Sequence, residues 1–168
     1  MKLRDLDPAG VGDRAHQAVV DQILKLHGAI ETAGDPSPIL AAVASRPSEI
    51  RRVAHLLAHY AKTGEPPEGR EELVEEYLIS LLPSGLVESI DDPLAGRRDP
   101  ETEIELVVLA VLGRQALAAR RPLGDAQLAA LAGLSASRVR QLAASGELRR
   151  VEGGISSTDA RRWLDSRG

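Results

Sequence analysis

Cysteine is absent from the 168 residues, which excludes disulfides, thiol nucleophiles, iron–sulfur clusters and cysteine-based zinc sites. Phenylalanine is absent too. Two Tyr and one Trp are the whole aromatic complement, so a core has to be built from Leu, Val, Ile and Ala. That favours closely packed helices over an aromatic-rich sandwich, and the expected fold class is all-α. Long apolar runs are missing as well. The opening "MKLRDLDPAGVGDR" holds nothing that would serve as a signal peptide, and "IELVVLAVL" (104–112) is too short to span a bilayer. The expectation is a soluble, cytoplasmic protein with no membrane partner.

What is present is charge, unevenly spread. The net formal charge is -4, which by itself argues against a polyanionic ligand. From Arg120 to the C-terminus, however, nine Arg face five acids for a balance of +4, and residues 1–119 carry -8. Such asymmetry points to a nucleic-acid-binding segment joined to an acidic body. All three lysines lie early, at Lys2, Lys25 and Lys62, so a general arginine bias accounts for part of the pattern.

Breaks at "GDPSP" (34–38), "TGEPPEG" (63–69), "DDPLAGRRDP" (91–100) and "RRPLG" (120–124) divide the chain into helical candidates. Ala15, Val19, Ile23, Leu26 and Ile30 follow three- and four-residue steps over 14–32, and a short helix is expected over 37–45. Over 48–62, Ile50, Val53, Leu56, Leu57 and Tyr60 form one stripe, with Arg51, Arg52, His55, His59 and Lys62 opposite. Leu73, Tyr77 and Leu81 repeat the idea over 69–82, with Glu68, Glu71 and Glu72 near the positive end of the helix dipole. "LPSGLVESI" (82–90) reads as a loop or single turn. The segment 100–119 opens with Pro100 and nearby acids, then turns apolar almost all round, as a helix packed on several sides does.

The most specific pattern is "LAALAGLSASRVRQLAASGEL" (128–148). A helix-turn-helix needs a small residue where its helices cross, a residue tolerating positive φ four places later, and a branched apolar residue six places beyond that. Ala129, Gly133 and Val139 meet these needs. Leu128, Leu131, Leu134 and Leu142 fit the inward positions, Asp125 or Gly124 fits the first helix's cap, and Ser135 fits the second's. On a wheel of 135–145, Val139, Leu142 and Ala143 point one way. Ser137, Gln141 and Ala144 centre the opposite face, with Arg138 and Arg140 beside them. Small residues for close approach, Gln for adenine and Arg for guanine are what a major groove calls for.

Downstream, "GELRRVEGGISSTDARRWLDSRG" reads as strand, glycine turn at Gly153 and Gly154, strand, and a helix capped by Ser156 or Ser157 with Ala160, Trp163 and Leu164 clustered inward. Arg149 and Arg150 then sit on a hairpin beside the second helix. Residues 123–166 resemble the winged helix-turn-helix of excisionase-like and MerR-type DNA-binding domains, in which "SGEL" leads through a short hairpin to a helix of the "DARRWL" kind. The resemblance implies Ser137, Arg138, Arg140 and Gln141 as the groove-facing set and Arg149 and Arg150 as wing contacts to backbone. It covers under a third of the chain.

The expected organisation is an acidic helical bundle over 1–119, serving dimerisation or partner binding, followed by a winged helix-turn-helix with a short β-hairpin over 120–168. No catalytic residues, cofactor or metal are expected. His55 and His59 share a face with three cations, His16 and His27 lie about three turns apart, and "KTG" (62–64) and "GVG" (10–12) lack the context of a phosphate loop. Three functions fit: a sequence-specific regulator binding double-stranded DNA as a homodimer; a recombination-accessory or architectural DNA-binding factor; and an adaptor whose winged module binds protein.

Overall fold

Asp7 begins the first helix: its carboxylate accepts from the amides of Ala9 and Gly10 at 3.2 and 3.1 Å, with Pro8 in the first helical position. The computed structural model describes residues 2–29, 49–81 and 99–167. The described elements are α1 (Pro8–Ala29), α2 (Glu49–Thr63), α3 (Glu72–Leu81), α4 (Glu103–Ala118), α5 (Asp125–Ala132), α6 (Ala136–Ala144), β1 (Arg150–Val151), β2 (Gly154–Ile155) and α7 (Ser157–Asp165). The chain is thus mostly helical, with one small antiparallel sheet near its C-terminus. Helix α1 starts six residues earlier than the apolar spacing predicts, because an Asp–Pro cap outweighs the two glycines behind it. The helix expected over 37–45 and the loop over 82–90 lie outside the described residues.

Helix α2 packs on α1, α3 and α4. Its predicted stripe is inward, and Ala54, Ala58 and Ala61 widen it, each fully buried. Small residues there let helices come close. At the α1–α2 crossing a Cβ on Gly12 would stand 2.6 Å from the carbonyl oxygen of Arg51. Arg51, Arg52, His55, His59 and Lys62 are exposed as expected. Tyr60 is buried and donates to Glu71 at 3.1 Å; burial, then the Glu71 charge, push its phenol up to about 12.

Helix α4 is the centre. Ile104 and every residue from Leu106 to Val111 are buried, and the helix touches α1, α2, α5 and α7. Its start is a capping box rather than a proline: Thr102 Oγ1 accepts from the Glu105 amide, and Glu105 reaches back to the amide of Thr102. Arg114 donates to the carbonyls of Ala61 and Lys62 at 2.7 and 2.9 Å, covering the C-terminal end of α2.

One hydrophobic core runs from Leu3 and Leu6 through α1–α4 into Leu123, α5, α6, Leu148, Ile155 and Ala160. It passes residue 120 without a break. The 3₁₀ turn at Leu3–Asp5 packs against α4 and α5, so the beginning of the chain rests on its C-terminal third.

Candidate nucleic-acid interface

Helices α5 and α6 meet as the spacing predicts. Ala129 and Val139 are buried at the crossing, and Gly133 closes α5 in the left-handed region at φ 66°. Leu128 and Leu142 are buried, while Leu131 and Leu134 pack against the core from its edge. Ser135 Oγ accepts from the Arg138 amide at 3.1 Å, capping α6. Gly124 stands at the N-cap of α5, its amide bonded to Gln127 Oε1 at 2.9 Å; Asp125, the alternative cap, does something else. A second carboxylate, Asp99, accepts from the Ala136 amide at 2.6 Å and occupies the N-terminal end of α6.

The hairpin is tighter than the glycine pair suggests. Arg150 pairs with Ile155 and Val151 with Gly154, leaving Glu152 and Gly153 as the turn and placing Gly154 in β2. Leu123 adds a third extended segment, exchanging backbone hydrogen bonds with Ile155 at 2.9 and 2.8 Å. Glycine at 154 is a steric need, since a Cβ there would lie 2.2 Å from the Leu123 carbonyl oxygen. Ser156 is the N-cap of α7 without a side-chain bond, Ala160 is buried, and Trp163 packs at the core's edge beneath the Arg167 guanidinium, 4.2 Å away.

Ser137, Arg138, Arg140 and Gln141 are all exposed, Ser137 and Gln141 on the side of α6 away from Val139 and Leu142 and the two arginines on its flanks. Arg138 Nη1 donates to Gln141 Oε1 at 3.1 Å, so these two form a linked pair. Arg149 and Arg150 are exposed too, but they differ. Arg149 joins no ion pair among the described residues. Arg150 folds back onto Asp125, its Nη2 2.8 Å from both carboxylate oxygens, and Arg140 Nη1 lies 4.0 Å from the same carboxylate. The structure therefore gathers Arg140 and Arg150, from a helix and a strand, over one buried acid. Nothing local in the sequence signals this, because Asp125 and Arg150 stand far apart along the chain.

Comparison with family models, with curated proteins and with solved structures finds no match. The site is left to its own chemistry. It offers guanidinium forks and a side-chain amide on a slim helix, next to a hairpin bearing two more arginines. Other arginines of this region are exposed but engaged by neighbours within the protein: Arg161 donates to the Leu117 carbonyl at 3.1 Å and Arg162 pairs with Asp159 at 2.8 Å. Among the described residues no group of three or more His, Asp or Glu could hold a metal ion. No described helix is long and apolar enough to cross a membrane.

Proposed function

We propose that residues 120–168 act as a winged helix-turn-helix of the excisionase-like or MerR type, and that the protein is a sequence-specific regulator binding double-stranded DNA. One observation carries the reading. Four polar residues chosen for groove contact all stand exposed on α6, while its Val139 and Leu142 face is sealed into the core. An α-helix fits the B-DNA major groove, where Arg140 suits guanine and Gln141, steadied by Arg138, suits adenine. Arg149 and Arg150 lie where phosphate contacts would fix register without reading sequence. The acidic stretch before residue 120 serves dimerisation, and a two-fold pair would read half-sites about 34 Å apart.

The test is selection of bound duplexes from a random pool, followed by fluorescence anisotropy on the recovered and a random duplex over a salt series. Gln141→Ala is expected to weaken the preferred duplex about tenfold and spare the random one, as loss of a bidentate base contact does. Arg149→Ala is expected to weaken both alike and reduce the slope of log affinity against log salt by about 0.9, one phosphate's worth. Equal loss on both duplexes for Gln141→Ala counts against its role. The adaptor reading draws on Asp99 at the head of α6 and Asp125 beneath the arginines, which lower the local positive potential. It prevails if the protein binds no duplex at low salt while co-purifying with a partner protein.

A further inference from the structure

Asp125 is the one charged residue buried among the described residues, 7% exposed, whereas the side chains of Arg140 and Arg150 above it are 47% and 49% exposed. A buried carboxylate is retained only where cations or donors compensate it. Here the compensation comes from two elements at once: Arg150 of β1 gives Nη2 to both oxygens, and Arg140 of α6 brings Nη1 to 4.0 Å. A guanidinium has five N–H donors in a rigid fork. Arg150 engages the acid through Nη2, so its Nη1 and Nε stay directed elsewhere while the pair is intact. The acid thus holds Arg150 by hydrogen bonds and attracts Arg140 across 4.0 Å, hiding neither.

We infer that Asp125 is a positioning residue that fixes Arg140 and Arg150 as one two-arginine unit, so that α6 and the hairpin meet a duplex in a single register. The inference rests on the DNA-binding reading above. Two free guanidinium groups would attract any phosphate. The same two groups over a buried acid present a lowered positive charge and a set spacing, trading indiscriminate attraction for a preferred geometry.

The experiment compares wild type and Asp125→Asn on the duplex recovered by selection with the wild type and on a random duplex of equal length. Asparagine keeps the shape and removes the charge. The expected result is a fall of about tenfold in preference for the recovered duplex, of the order that one well-placed base contact provides, with random-duplex affinity holding or rising. Once Arg150→Ala is present, Asp125→Asn is expected to change preference much less, since the two act together. If Asp125→Asn unfolds, Asp125→Glu, which keeps the charge but displaces the carboxylate by a methylene, carries the same expected loss of preference. An unchanged preference, or equal loss on both duplexes, overturns the inference. Wild-type protein that binds no duplex overturns the proposed function, and this inference with it; wild-type binding with unaltered preference in the variant overturns the positioning role alone.

Discussion

Glycines 146 and 154 separate two penalties that a single substitution usually confounds. Both have positive φ, 85° and 145°, yet a Cβ on Gly146 would meet nothing within 4 Å while one on Gly154 would strike the Leu123 carbonyl oxygen. Gly146→Ala is expected to destabilise by about 1 kcal/mol, the cost of left-handed backbone for a residue with a Cβ. Gly154→Ala is expected to exceed it by about 2 kcal/mol or more, because the sheet hydrogen bonds between Leu123 and Ile155 must shift as well. Urea denaturation of the two variants checks this, and equal losses would show that the Leu123 segment yields easily. The difference also explains what the sequence conceals. Gly133 is legible because its spacing from Ala129 and Val139 is local. Gly154 looks like a turn residue until the distant Leu123 is known to lie beside it, and Asp125 looks like a helix cap until Arg150 is known to reach it.

At the level of the element, α4 shows why type and burial are easier to read than boundaries. Its run of apolar residues from Leu106 to Val111 fixes a helix buried on all sides, and that is what the fold contains. Its start depends on two side chains. Thr102 and Glu105 satisfy orphan amides reciprocally, a Thr-x-x-Glu pattern that was present in "PETEIEL" but overshadowed by Pro100. Thr102→Ala is expected to cost about 1 kcal/mol, while Thr102→Ser, which keeps the oxygen, costs little. Thermal unfolding of both decides it; an alanine variant as stable as wild type would mean that packing alone sets the start of α4. The same contrast holds for α1, where the six residues ahead of the predicted start are helical because of Asp7 and Pro8.

Across the whole molecule, the change of charge at residue 120 is not matched by a change of core. The turn at Leu3–Asp5 rests on α5, α4 touches both α2 and α5, and Arg161 of α7 closes on the end of α4 at Leu117. Charge lies on the surface and tells of partners, whereas cooperativity follows the buried contacts, so the two need not share a boundary. The sequence displays the first directly and the second only through packing between distant elements. Trp163, the one tryptophan, sits in α7 at the edge of that core, so its fluorescence reports the C-terminal part while far-ultraviolet circular dichroism reports helices throughout. Because the core is continuous, both signals are expected to trace one urea transition with the same midpoint and the same slope, about 1–3 kcal/mol/M for a small cooperative protein. Two separated midpoints would mean that the last third unfolds by itself, and that the contacts of the Leu3–Asp5 turn and of Leu117 with it are too weak to couple the acidic body to the face bearing Arg140 and Gln141.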